Sequence, residues 1–107
     1  MHQTFAALAD PHRFKIVELL RRGPQPVGGI GKRLKLAQPQ VSKHLKVLKD
    51  AGLVVVEARA QQRIYALEPA SLRELATWLD RYRSLWDERF DALDDVLKTL
   101  QKPKEKR

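Results

Sequence analysis

The chain has 107 residues, 43% hydrophobic and 32% charged, which suits one small globular domain and excludes a disordered chain or two separate cores. It has no cysteine, which excludes disulfides, thiolate metal sites and cysteine nucleophiles. The formal net charge of +8 is uneven: residues 1–67 hold 12 Lys/Arg against 4 Asp/Glu, residues 68–101 hold 5 against 8, and the last six hold 4 against 1.

The basic front of the chain therefore suits a polyanion partner, and the mildly acidic stretch behind it suits a different task. No apolar run is long enough to span a membrane. The opening "MHQTFAALADPHRF" lacks a charged segment followed by an apolar one. A cytoplasmic location with no membrane partner is the expectation.

In chain order, "TFAALADPHRFKIVELLRR" predicts two helices parted at Asp10-Pro11. Asp10 caps the second, and Pro11 is its first residue. Phe14, Val17 and Leu20, with Ile16 beside them, form the predicted buried face. Gly23-Pro24-Gln25-Pro26 then breaks the chain. In "VGGIGKRLKL", Val27, Ile30 and Leu34 have helical spacing. Its glycines cost roughly 0.8–1 kcal/mol each relative to alanine, so a short helix held by packing is expected.

The next helix is predicted over 38–51. Val41, Leu45 and Leu48 form a narrow i, i+4, i+7 stripe, while Lys43, Lys46 and Asp50 face the other way with Ser42 on the shoulder. Pro39 lies in the first turn, where its missing N–H has no cost, and Gly52 closes the C-terminus. Two β-branched and aromatic runs over 53–67 flank the polar centre Arg59–Gln62. They predict a hairpin with a loop of about four residues. No Asn-Gly or Asp-Gly pair marks a tighter turn.

From Pro69 to residue 101 one long helix is predicted. Leu72, Leu75, Leu79, Tyr82 and Trp86 alternate steps of three and four, and Leu93, Val96 and Leu100 resume the heptad after an interruption at Arg89. Trp78, Leu85, Phe90 and Leu97 widen the stripe. At ~45 Å such a helix is too long to bury its stripe within its own small domain, so a second chain is the expected cover. Residues 102–107 are expected to be a short basic tail after a single domain over 1–101.

A helix, a turn, a basic helix and then a hairpin is the order of a winged helix-turn-helix, mainly α with a β wing. "FAALADPHRFKIVELL", "VSKHLKVLKDAGLV" and "RIYAL" resemble the ArsR/SmtB-like family of bacterial transcriptional repressors, over residues 3–100. The resemblance implies a homodimer paired through the first and last helices, with one recognition helix per subunit in the major groove of a double-stranded DNA operator. It implies DNA contacts by Gln38, Gln40, Ser42, Lys43 and His44 on that helix and by Arg59, Gln61, Gln62 and Arg63 on the wing. Glutamine can pair bidentately with adenine, and lysine or serine can reach guanine or phosphate. Lys46 and Lys49 suit phosphate contact or simple solvation. Capping or packing competes for Gln38, and a structural hydrogen bond competes for His44. The long helix is the expected dimer interface.

Metal-responsive relatives carry a cysteine pair before the recognition helix or His/Asp/Glu sets on the last helix. Here Val27, Gly28, Gly29 and Ile30 occupy the first place, and the last helix has no histidine. The chain thus resembles a branch without metal ligands, with no cofactor and no metal expected and any small-molecule effector unknown. Without a nucleophilic cysteine, a phosphate loop or a His–carboxylate cluster, an enzyme is not expected. A winged helix used only for protein contacts is the alternative, and structured RNA is a third.

Overall fold

A computed structural model describes the backbone of residues 1–105 and side chains as far as residue 100. The chain divides into two units, Met1–Arg73 and a second from Glu74 onward. The first holds α1 (His2–Ala9), α2 (Pro11–Leu20), β1 (Gln25–Pro26), α3 (Val27–Leu34), α4 (Gln38–Asp50), β2 (Val54–Arg59), β3 (Gln62–Leu67) and the start of α5 (Pro69–Glu105).

The Asp-Pro-His-Arg stretch makes the first corner. Asp10 Oδ1 accepts hydrogen bonds from the backbone N–H of His12 at 2.8 Å and of Arg13 at 3.1 Å, two of the N–H groups a helix start leaves without partners. The Arg13 side chain reaches back, donating through Nε to the Ala7 carbonyl at 2.8 Å and through Nη2 to the Ala6 carbonyl at 3.3 Å. One short segment thereby ends α1 and starts α2.

The Arg13 N–H is the largest influence holding the Asp10 carboxyl below its usual range. Partial desolvation opposes it, and the His12 N–H and the Arg13 and His44 charges reinforce it. A carboxyl whose pKa is lower folded than unfolded contributes stability above its unfolded pKa of about 3.9, and loses it as pH falls through the folded value. The melting temperature should therefore exceed that of the charge-free Asp10→Asn variant at neutral pH, with the gap closing between about pH 5 and pH 2. A gap that stays constant over that range would show that the charge contributes nothing.

The core collects Ala7 from α1, Ile16, Leu19 and Leu20 from α2, and Ile30 from α3. Val41, Leu45 and Leu48 of α4, with Leu53, Val54 and Tyr65 from the sheet side, complete it. The α4 stripe is buried as its spacing predicts. The α2 face differs from expectation: Leu19 takes the inner position and Phe14 is 51% exposed. The helix is rotated so that Ile16, Leu19 and Leu20 share the inner side.

α3 and α4 meet at a close approach that requires glycine. A Cβ on Gly31 would lie 2.9 Å from the Leu36 carbonyl oxygen and 3.5 Å from Val41 Cγ2. The Leu36 N–H donates to the Gly31 carbonyl at 2.9 Å, with Lys35 turned to φ 58° to end α3. At the far end of α4, Gly52 takes φ 78°. Its N–H bonds the Lys49 carbonyl and the Leu53 N–H bonds that of Leu48, both at 2.9 Å, which is a Schellman closure.

The sheet is antiparallel in the order β1-β3-β2. Two features differ from the sequence reading. Arg59 pairs with Gln62, so the wing turn has two residues rather than about four. Ala60 supplies the left-handed backbone at φ 53° that glycine or asparagine would usually supply. A third strand also appears, where Gln25 and Pro26 pair with Tyr65 and Ile64.

In the second unit α5 continues as one helix. Its 37 residues span ~55 Å, and it runs to Glu105 rather than residue 101. The side chains of the expected basic tail, and residues 106–107 altogether, lie outside the described residues. No helix among the described residues is long and apolar enough to cross a membrane.

Candidate nucleic-acid interface

A concave cleft opens between α3, α4 and the wing. It is lined by Gln38, Ser42, Lys46 and Lys49 of α4, Gly28, Gly29 and Lys32 of α3, and Gln61, Gln62 and Arg63 of the hairpin, with Pro26, Val27 and Tyr65 behind them. The fold explains the gathering. At about 100° per residue, positions 38, 42, 46 and 49 share one flank of α4 next to its buried stripe. The two-residue turn holds the hairpin tip beside that flank.

The charge of this cleft has one sign. Lys32, Lys46, Lys49 and Arg63 line it, and no carboxylate does among the described residues. The first turn of α3 adds to it, since no side chain caps that helix start and free N–H groups there favour an anion. Amides and a hydroxyl sit among the cations. That mixture can neutralise phosphates while presenting donors and acceptors to base edges.

Of the residues singled out by sequence, Gln38, Ser42, Lys46, Gln61, Gln62 and Arg63 come together here, and four lie elsewhere. Lys43 stands on the adjoining outward flank of α4, exposed to solvent. Gln40 shares that exposed side, but its Oε1 accepts the Ala37 backbone N–H at 3.2 Å. The capping expected as a rival role for Gln38 is thus made by Gln40, whose amide NH2 has no hydrogen-bond partner among the described residues.

Arg59 is held by Glu57 at 3.4 Å on the exposed wing. His44 departs furthest. It lies on the side of α4 away from the cleft, its ring 5.6 Å from that of His12, with Nδ1 buried and without a hydrogen-bond partner among the described residues.

The sequence reading missed Lys32, and gave Lys49 no preference between phosphate and solvent. The i, i+4 step from Gly28 to Lys32 was the available signal, since it sets both on the outer side of α3. Among the described residues no group of three or more His, Cys, Asp or Glu side chains is arranged to hold a metal ion.

The second unit carries the other candidate surface. Leu79, Tyr82, Trp86, Leu93, Val96 and Leu100 of the predicted stripe are all exposed, and Leu75 is half-buried. Leu72 departs from that set, because it packs against the core of the first unit. Trp78 and Tyr82 lie 5.0 Å apart and Trp86 and Phe90 6.1 Å apart, ring centre to ring centre. Arg89, which breaks the heptad, places its guanidinium 5.1 Å over the Trp86 ring, a cation–π contact that keeps the surface continuous.

Comparison with known proteins gives a consistent pattern. The family described as "Bacterial regulatory protein, arsR family" matches residues 10–56, from the Asp10 cap through α4 into β2. HTH-type transcriptional regulator Rv2034 of Mycobacterium tuberculosis is 45% identical over 80 residues, covering 75% of each chain. Transcriptional repressor SdpR of Bacillus subtilis is 32% identical over 79 residues, covering 74% of this chain and 88% of that one. Among solved structures, an ArsR-like transcriptional regulator from Rhodococcus sp. RHA1 superposes with a TM-score of 0.71 at 30% identity, covering 89% of this chain and 90% of that one.

Proposed function

The chain belongs to the ArsR family of bacterial regulatory proteins, and from that premise we propose that this DNA-binding transcriptional regulator is a homodimeric repressor that reads an inverted repeat through the major groove. The observation that carries the reading is the cleft in which Gln38, Ser42 and Lys46 of α4 meet Gln61, Gln62 and Arg63 of the wing, with no carboxylate lining it among the described residues. α4 enters the major groove, with Lys43 and Gln40 towards base edges. Lys46 and the wing arginines hold phosphates, and Arg59 must leave Glu57 to do so. This exposed ion pair is weak enough to exchange.

The dimer follows from the apolar stripe of α5. A soluble chain rarely leaves so long an apolar surface uncovered, and a second copy supplies a matching stripe by symmetry. Phe5 and Phe14 of the first unit are exposed as well. Repression is the activity named for SdpR, and a dimer seated across a promoter blocks it without further machinery. Nothing in the reading requires a metal or cofactor.

Selection from random duplexes roughly four helical turns long tests this reading. It should recover an imperfect inverted repeat with half-site centres about one turn, ~10 bp, apart. Recovery of no shared motif, with equal affinity for every duplex or none, would leave a winged helix that serves protein contacts or non-specific binding.

A further inference from the structure

A second cationic cleft lies on the other side of α3. Lys15, Arg21 and Arg22 from α2 and its C-terminal end, and Arg33 from α3, surround a floor made by Leu19 and Leu34. Glu18 is the one acid lining it among the described residues, and it lies 3.9 Å from Arg21 in an exposed pair. Lys15, Arg22 and Arg33 are exposed and have no ion-pair partner among the described residues.

Complementing helix dipoles accounts for a cation or two at the C-terminal ends of α2 and α3. It does not account for Lys15 in the middle of α2, facing the same cleft, or for three cations left without a carboxylate. Like charges gathered around a concavity repel one another, and an anion seated there relieves the repulsion.

The two clefts share α3 as a wall. Lys32 lines the recognition cleft and Arg33, the next residue of α3, lines this one. In helix-turn-helix proteins the helix before the recognition helix crosses the DNA backbone. Cations on its far side therefore face outward from the half-site. We propose that the α2–α3 cleft is a second phosphate-binding surface, which takes the backbone of duplex DNA lying outside the base-read half-sites. The proposal rests on the DNA-reading function above. The cationic lining, and its place on the same helix that borders the recognition cleft, favour DNA over an acidic protein as the occupant.

The test uses the full chain, the Arg33→Ala and Arg22→Ala variants, and two duplexes: the selected inverted repeat with native-length flanks, and the same repeat trimmed to its half-sites. Both arginines are exposed, and thermal melting checks that each variant folds. Each substitution removes one phosphate contact per protomer, two per dimer. On the flanked duplex the log–log salt slope should become shallower by about 1.8. Raising salt from about 50 to 200 mM should then cost each variant roughly tenfold less affinity than it costs the unsubstituted protein. On the trimmed duplex the variants and the unsubstituted protein should titrate alike.

Unchanged slopes on the flanked duplex would overturn the proposal, as expected if the cleft takes an acidic protein instead. Equal losses on both duplexes would overturn it too, by placing the arginines inside the half-sites. If the unsubstituted protein binds neither duplex, the DNA-reading function fails first and the second surface fails with it.

Discussion

Replacing Leu79 and Trp86 together with glutamate should yield a monomer in sedimentation and lower operator affinity by about 10²- to 10⁴-fold, the range by which coupling two weak modules raises avidity. Both side chains are about half exposed in the single chain, at 51% and 46%, and neither belongs to the core of the first unit. In a dimer the same positions would be desolvated, and four buried carboxylates without partners cost several kcal/mol each. Recognition should fail with assembly, since one helix in one groove lacks the second half-site. A double variant that stays dimeric would show that another surface, such as the one around Phe5, holds the subunits together.

Leu45→Ala should act on the fold and leave recognition alone. Leu45 is 0% exposed and lies between Val41 and Leu48 on the stripe that seats α4 in the core. Truncating a fully buried leucine costs about 2–5 kcal/mol, part lost transfer energy and part cavity. For a domain of this size that is a large share of total stability, and denaturant unfolding should report it directly. Below its lowered midpoint the variant should bind the operator almost normally, because the cleft residues on α4 point away from the cavity. A loss under about 1 kcal/mol would mean that the site collapses around the gap, which the close packing of α3 against α4 at Gly31 argues against.

Features that arise from local chemistry were legible in the sequence. The Asp10-Pro11 corner, the buried stripe of α4, its closure at Gly52 and the heptad of α5 each follow from side chains a few residues apart. The features that escaped depend on what lies across space. The rotation of α2 that exposes Phe14 is set by which residues α3 and β3 offer it. The pairing of Gln25 and Pro26 with β3 involves two residues, too few for any period. The tight wing turn rests on Ala60 in a backbone region that alanine seldom occupies, so composition gave no sign of it. In the candidate site, the α4 and wing residues that share the cleft were singled out through the resemblance to the ArsR/SmtB-like family, with side-chain chemistry that suits DNA. The capping hydrogen bond of Gln40 and the burial of His44 Nδ1 depend on rotamers. Lys32 was missed because three glycines weakened the helix that carries it.

The central claim is that the outward flanks of α4 divide their work, with Lys43 reading bases and Lys46 holding phosphates. Gln40 is a poorer probe, because its truncation also removes the bond to the Ala37 N–H. The decisive measurement is a titration of Lys43→Ala and Lys46→Ala against the selected repeat and a scrambled duplex at two salt concentrations. Lys43→Ala should cost roughly 1–3 kcal/mol on the repeat and far less on the scrambled duplex, since base-edge contacts carry discrimination. Lys46→Ala should weaken both duplexes alike and flatten the salt dependence by about one phosphate contact per protomer. Two variants that behave identically on both duplexes would contradict the account, leaving α4 a charged surface rather than a reader of sequence.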